Sequence, residues 1–385
     1  MRFDQIIERK GSSCYKYDGL KMVYGREDLL PMWVADMDFA VSDEIQAALQ
    51  KRLSHPIYGY NLRGPEFDEA VRYWQHSQHN WDIHDYRIIA VPSVMTALVI
   101  TILSLTNSND EILIQTPVYP PFHSSVIEHN RKLLTNSLIN KDGSYQIDWE
   151  DFESKIRRAK LFILCNPHNP VGRVFTEQEL AKMHELCEKH KVTIFSDEIH
   201  SDIVYPPHQH VPIAKFGAEN VVTSLSPAKS FNLAGLATAV MIVKNPDIAN
   251  VLDKLNYDLH TFMGNSFGIT ALIAAYTESE AWFRDLKEYL GGNRDLIQKF
   301  IAAKLPNVKL SNIEGSFLAW LDFRCLELDD DRLESIMRDK ALVALNPGRS
   351  FGIDGSGYMR LNFACPRDRL FEALCRIEKA IRENT

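Results

Sequence analysis

No apolar run in the 385-residue chain approaches the length needed to cross a membrane. The first ten residues, Met-Arg-Phe-Asp-Gln-Ile-Ile-Glu-Arg-Lys, carry acidic groups and no apolar h-region, so a secretory signal is not expected. Positive charge is in deficit: 43 Lys and Arg stand against 51 Asp and Glu, a net charge of −8. That balance argues against a general binder of nucleic acid or of anionic membranes. Cysteine is sparse. Cys14, Cys165, Cys187, Cys325, Cys365 and Cys375 form no metal-like pairs, and most lie in apolar patterns where a thiol behaves as a small hydrophobe. A reduced, cytoplasmic setting is expected. No internal repeat or low-complexity linker divides the chain.

What is present suits an ordinary globular protein: 45% of residues are hydrophobic and 24% charged. The length is ample for a large core and more than one domain. From about residue 87 to 245, short apolar runs alternate with helical patterns. Strands are expected at Arg87 to Val91, Glu111 to Gln115, Leu161 to Cys165, Val192 to Phe195, from Val221, and at Ala239 to Val243. Val94 to Leu105 reads as a helix, and Thr176 with Glu179 forms a capping box for another. This alternation indicates an α/β layer on a mostly parallel sheet. Beyond it, Asn293 is expected to cap a helix with an apolar face at Leu296, Ile297, Phe300 and Ile301. Strands at Phe317 to Phe323 and Tyr358 to Ala364 and a terminal amphipathic helix complete a smaller α+β part. The expected division is a large domain over 50–288, with 1–49 and 289–385 forming a small domain and an N-terminal arm.

Three polar clusters sit at the ends of apolar runs. They are Asn166-Pro167-His168-Asn169-Pro170, Ser196-Asp197-Glu198-Ile199-His200, and the segment from Ser224 to Gly235 that contains Lys229. Ligands of open α/β sheets bind at the carboxyl ends of the strands, so Asn169, Asp197 and Lys229 can converge. An amine, a carboxylate and an amide placed this way are the parts that hold pyridoxal phosphate (PLP) and use it. Singly each has a plain explanation: a solvated lysine, a helix cap, a turn residue ahead of proline. The set, in this order, has not.

These residues resemble fold-type I PLP enzymes over nearly the whole chain. Pro31-Met32-Trp33-Val34-Ala35-Asp36-Met37-Asp38-Phe39, Ser196 to Asp202 and Met359-Arg360-Leu361-Asn362-Phe363-Ala364-Cys365 make the chain similar to the MalY/PatB-type cystathionine β-lyase (C–S lyase) branch of the class I/II aminotransferases. The resemblance implies a seven-stranded, mostly parallel sheet flanked by helices, PLP as cofactor, an amino-acid substrate and a homodimer with shared sites. It implies that Lys229 forms the Schiff base, Asp197 pairs with the pyridine nitrogen, Asn169 meets the ring hydroxyl oxygen and Tyr119 stacks on the ring. Ser226 and the helix start at Val94 and Met95 would bind the phosphate, as a helix N-terminus suits an anion. Tyr60 would reach the neighbouring subunit's phosphate and contribute to the substrate site. Arg360 would clamp the substrate carboxylate, a bidentate task suited to arginine, with Ala35 and Asp36 beside the substrate. Period-two alternation separately places Arg360 and Asn362 on one face of their strand. His200 stands near the cofactor where aminotransferases often carry tyrosine.

Two positions depart from the family pattern. Val171 stands in Asn169-Pro170-Val171-Gly172 where threonine is usual, and Ala228 precedes Lys229 where serine is frequent. The second puts one phosphate contact in doubt. His76, His79, His84, His208 and His210 are read as solvated surface residues, not metal ligands. The branch implies α,β-elimination from L-cystathionine or a related L-cysteine S-conjugate, giving a thiol such as homocysteine, pyruvate and ammonia. An aminotransferase using the same residues is one alternative; a PLP-binding protein that regulates by protein contact is another.

Overall fold

The computed structural model describes residues 2–384. Its centre is a seven-stranded sheet built from β1 (Arg87–Val91), β2 (Glu111–Thr116), β3 (Lys132–Ser137), β4 (Leu161–Cys165), β5 (Thr193–Asp197), β6 (Val221–Leu225) and β7 (Ala239–Val243). The order across the sheet is β1-β7-β6-β5-β4-β2-β3. Only β7 among these strands runs antiparallel to its neighbours. β4, β6 and β7 are buried along their whole length, which explains why their sequences read as continuous apolar runs rather than alternating ones.

Alternate side chains of these strands enter two separate cores. Ile163, Val222 and Met241 pack on one face with Ala97, Leu98 and Ile102 of α2 (Val94–Leu105), the helix that follows α1 (Pro65–His79). Phe162, Leu164 and Ile194 face the other way, toward Leu180, Met183 and Cys187 of α4 (Glu177–Lys189), which lies beyond α3 (Pro120–Glu128) and a short helix at Trp149–Ile156. Local signals start the helices as expected. Ser93 accepts from the Thr96 amide at 3.0 Å to cap α2. In α4 the capping box is complete: Thr176 Oγ1 accepts from Glu179 N at 3.3 Å, and Glu179 Oε2 accepts from Thr176 N at 2.9 Å.

Register decides where the polar clusters end. Cys165 of β4 pairs with Asp197 of β5, and Asp197 pairs with Ser224 of β6. The three strands therefore finish level, and the chain leaving each one enters the same edge. Beyond β6 the short helix α5 (Pro227–Ser230) carries Lys229.

The smaller part holds a four-stranded antiparallel sheet of order β8-β9-β11-β10, from β8 (Lys309–Leu310), β9 (Leu318–Asp322), β10 (Asn346–Pro347) and β11 (Tyr358–Asn362). Arg360 lies on β11, opposite Trp320 of β9 and Asn346 of β10. Two helices pack here, α6 (Glu280–Lys304) and α7 (Arg367–Asn384). Helix α6 corrects an expectation. It begins at Glu280, not at an Asn293 cap, and it crosses 288–289 without a break. Asn293 is buried inside it and donates to Phe363 O at 3.0 Å and Cys365 O at 2.9 Å. Within this helix a Cβ at Gly292 would lie 2.6 Å from Arg367 Nη2. The glycine serves close approach, not a turn.

Candidate active site

Above the carboxyl ends of β4, β5 and β6 lies a cavity of about 330 Å³, walled by Lys229, Asp197, Asn169, Tyr119, His200 and Arg360 among others. Ser226, Val94, Met95 and Ala35 also line it. Ten of the expected site residues are thus brought together from segments spread over more than 300 positions. Tyr60 and Asp36 are not among them. Tyr60 is 94% exposed, and the Asp36 carboxylate is turned to Arg9, whose Nη2 donates to it at 2.7 Å.

Lys229 Nζ donates to Ala35 O at 2.5 Å. Burial, with the Arg360 guanidinium nearby, pushes its amine down to about 8, so a share of the free base exists near neutral pH. A free amine in a water-poor pocket is a nucleophile for a carbonyl. Asp197 is buried at the end of β5, where its Oδ1 accepts from the Ile199 amide at 3.1 Å. Burial, reinforced by Glu198, pushes this carboxyl up to about 7. An acid held so costly in its charged form suits a cationic N–H partner that would restore it.

Arg360 is the other buried charge, and no carboxylate pairs with it among the described contacts. Its Nη1 donates to Asn169 Oδ1 at 3.0 Å, and its Nη2 to Trp33 O at 3.0 Å and Asn346 Oδ1 at 2.7 Å. All three acceptors are neutral. The buried Nε has no partner, and the guanidinium lies 4.9 Å from the centre of the Phe351 ring. Burial drags its pKa down to about 10, which measures how poorly the charge is compensated. Such a group calls for an anion. Because Asn169 spends its carbonyl oxygen on Arg360, its NH₂ is the end left to meet an oxygen acceptor.

Tyr119 precedes α3 and is largely buried, with burial raising its hydroxyl. His200 is buried edge-on to Phe317, their ring centres 5.7 Å apart, and its Nδ1 has no partner. Burial and the cations of Lys229 and Arg360 hold its pKa well below 6.5, so the ring is neutral. The Ser226 hydroxyl donates to Thr238 O at 2.6 Å and accepts from Ala228 N at 3.1 Å. As placed it caps α5. Val94 N and Met95 N belong to the first turn of α2 and precede the helical ladder, so they lack acceptors within the helix.

The fit to PLP can be judged on these groups alone. An amine of lowered pKa, a buried acid that forms no salt bridge among the described contacts, an amide donor and an aromatic face wall the cavity, with unspent helix amides at one end. They match the aldehyde, pyridine nitrogen, ring oxygen, ring face and phosphate of that cofactor. The residues fit. Sequence reasoning missed Trp33 O, Asn346 and Phe351, which orient Arg360. A backbone carbonyl, a two-residue strand and a single 3-10 turn carry no periodic signal that could have marked them.

Comparison with known proteins decides the family. The family model for aminotransferase class I and II matches residues 29–377. The chain belongs to the class I and II aminotransferases. Among this family's characterised relatives, cystathionine β-lyase PatB of Bacillus subtilis is 39% identical, covering 99% of this chain and 100% of PatB. Cystalysin from Treponema denticola, whose crystal structure contains pyridoxal 5'-phosphate, superposes with a TM-score of 0.95 at 32% identity, covering 100% of this chain and 99% of cystalysin. The PLP-bound C–S lyase of Staphylococcus hominis superposes with a TM-score of 0.93 at 30% identity over 100% of both chains. Two other expectations need correction in this aminotransferase-family fold. His79 and His210 are not solvated: their side chains are 4% and 1% exposed, each against a carboxylate, Asp202 and Glu198.

Proposed function

We propose that the protein is a PLP-dependent carbon–sulfur β-lyase that cleaves L-cystathionine or related L-cysteine S-conjugates to a thiol, pyruvate and ammonia. The observation that carries this reading is the pairing, in one cavity, of the Lys229 amine with an Arg360 cation that has only neutral acceptors. One suits a carbonyl cofactor and a proton at Cα; the other suits an α-carboxylate. The likeness to PatB and to the C–S lyase supports the choice of a sulfur leaving group.

Bound PLP supplies an electron sink for the Cα–H bond of the substrate. Asp197 keeps the proton on the pyridine nitrogen, Asn169 donates its NH₂ to the ring oxygen, and Tyr119 covers the ring face. Val94 N, Met95 N and Ser226 hold the phosphate, the last by turning its hydroxyl from Thr238 O. Arg360 would fix the substrate carboxylate and so hold Cα within the cavity that Lys229 also lines. With the cofactor bound, the Lys229 amine would be the group placed to take the Cα proton and to return one to the departing thiolate. His200 stays neutral beside the cofactor and adds no competing charge. Once the Cβ–S bond breaks and the three-carbon enamine, 2-aminoacrylate, leaves the site, it tautomerises to the imine and water hydrolyses the C=N bond to give pyruvate and ammonia.

The proposed large part, 50–288, supplies Lys229, and the small part, 1–49 with 289–385, supplies Arg360 and the segment bearing Ala35 and Asp36. The protein acts in the cytoplasm as a homodimer in which Tyr60 serves the neighbouring site. Exposed Leu53, Ile57, Tyr58, Tyr60 and Leu62 give that second copy an apolar surface to cover. The test is direct. Purified protein given L-cystathionine should release pyruvate and free thiol in equal amounts. Amino exchange that depends on an added 2-oxo acid, with no thiol released, would sink the lyase reading.

A further inference from the structure

Lys229 and Arg360 reach the cavity from different parts of the chain, yet one short segment touches both. Residues 33–39 form neither strand nor helix. The Trp33 carbonyl accepts from Arg360 Nη2 at 3.0 Å, and the Ala35 carbonyl accepts from Lys229 Nζ at 2.5 Å. The strap has no ladder of its own: Asp36 N donates to Val34 O and Asp38 N to Ala364 O, each at 2.9 Å, and side chains meet most of its remaining carbonyls. Two asparagines do much of that, and each lies just downstream of one of the two site residues. Asn362, two positions after Arg360, donates Nδ2 to Val34 O at 2.5 Å and Asp36 O at 2.7 Å. Asn232, three positions after Lys229, donates Nδ2 to Met37 O and Phe39 O, each at 3.0 Å, and accepts from Met37 N at 3.0 Å. Its φ of 58° lies in the left-handed region, where asparagine is among the few non-glycine residues at ease. The far end is tied by buried Asp38, which accepts from Arg9 Nη1 at 2.6 Å, Tyr17 OH at 3.0 Å and Lys16 Nζ at 3.2 Å.

We propose that Asn232 and Asn362 are positioning residues for the substrate carboxylate, acting through the strap 33–39, whose Trp33 carbonyl aims the Arg360 guanidinium. This rests on the reading of Arg360 as the carboxylate clamp. An asparagine side chain offers two N–H donors from one nitrogen, which is what two carbonyls of a bent segment require. Both asparagines hold the same segment, whose Trp33 end is also tied by Trp33 Nε1 to Lys16 O at 2.9 Å and by the Met32 backbone, so releasing either asparagine loosens the strap and, through it, the aim of the Trp33 carbonyl at Arg360. A second release then adds little. Two residues that stabilise only their own surroundings would instead act independently.

The test compares wild-type holoenzyme with Asn232→Gly, Asn362→Ala and the double variant. Glycine keeps the left-handed backbone at 232 while deleting the side chain; Asn362→Ser replaces the alanine variant should that one not fold. Sodium propionate, a carboxylate without an amine, is titrated against each while the visible band of the bound cofactor is followed. Each single variant should bind propionate roughly tenfold more weakly, the worth of one misdirected hydrogen bond to a charged group. KM for L-cystathionine should rise by a similar factor with kcat falling less. The double variant should also lie near tenfold. Single variants within twofold of wild type, or an additive loss of about a hundredfold in the double variant, overturn the strap. A wild-type enzyme indifferent to propionate, or one whose response survives Arg360→Ala, overturns the clamp reading and the strap with it.

Discussion

Replacing Arg360 by lysine keeps the charge and removes the fork, and the structure sets the size of the effect. Of the five guanidinium N–H groups, three donate to Asn169 Oδ1, Trp33 O and Asn346 Oδ1, leaving one Nη1–H and the Nε–H, which point in different directions and offer an anion one contact each. A lysine ammonium has three donors in all. It can hold one carboxylate oxygen, but it cannot keep the three neutral acceptors and two anion contacts at once. The loss is at least one charge-assisted hydrogen bond, worth about 1.5–3 kcal/mol, or roughly 10- to 150-fold in binding. The carboxylate takes no part in bond making, so it is held alike before and during reaction, and the loss should fall mainly on KM. Initial rates of pyruvate formation against L-cystathionine concentration should therefore show KM raised by that factor, with kcat reduced far less. A KM within twofold of wild type would refute the clamp. A fall in kcat at constant KM would show that Arg360 acts on the chemistry instead.

Three further outcomes follow from the same geometry. In the apoprotein Asp197 has its pKa raised from 3.8 to about 7, so between those values the unfolded chain ionises it while the folded chain keeps it protonated. Stability from this group is lost as pH rises through that window, and Asp197→Asn should remove that loss; denaturant midpoints of apo wild type and variant at pH 4.5 and 7.5 give the difference. His200, held neutral well below pH 6.5, should leave the acid limb of the kcat/KM profile unmoved when changed to glutamine; disappearance of that limb would show that it titrates in catalysis. If Tyr60 serves the neighbouring site, mixing the inactive variants Lys229→Ala and Tyr60→Ala should restore about a quarter of the wild-type sites, since half of the dimers are mixed and carry one intact site each; subunit mixing that restores no activity would place Tyr60 elsewhere.

The parts of the site legible in sequence are those that a strand delivers. Asn169, Asp197 and Lys229 follow runs such as Leu161 to Cys165, whose continuous burial writes itself as continuous apolar residues. Polar groups just beyond such runs stand out, and level strand ends bring them together. The edge strand β3 was not expected, because Lys-Leu-Leu-Thr-Asn-Ser lies at the sheet margin with most positions part-exposed, so its pattern resembles a loop. His79 reads as one histidine in a polar helix end, yet it meets Asp202, 123 positions away, at 2.9 Å. Burial of that kind is a property of the pair, and neither member announces it. Asn293 misled for a related reason: its side chain serves Phe363 O and Cys365 O, which lie 70 and 72 positions away in sequence.

The strap shows why a site can be read from its charged residues and still be only half described. Lys229 and Arg360 are basic groups in one buried cavity; burial lowers the pKa of each, and the Arg360 charge lowers that of Lys229 further. What holds them together is a set of neutral oxygens: Ala35 O on one, and Trp33 O, Asn346 Oδ1 and Asn169 Oδ1 on the other. Neutral acceptors orient a cation without cancelling its charge, so the cavity keeps its attraction for an aldehyde phosphate and for a carboxylate. A carboxylate in any of those places would have formed a buried ion pair, satisfied the guanidinium and competed with the substrate. The carbonyls leave that role open. It follows that replacing Asn346 by aspartate, a change of one atom beside Arg360, should raise KM for L-cystathionine more than Asn346→Ala does, because the alanine removes an acceptor while the aspartate supplies a rival anion. Equal KM values for the two variants would mean that Arg360 needs only to be held, and not to be left uncompensated.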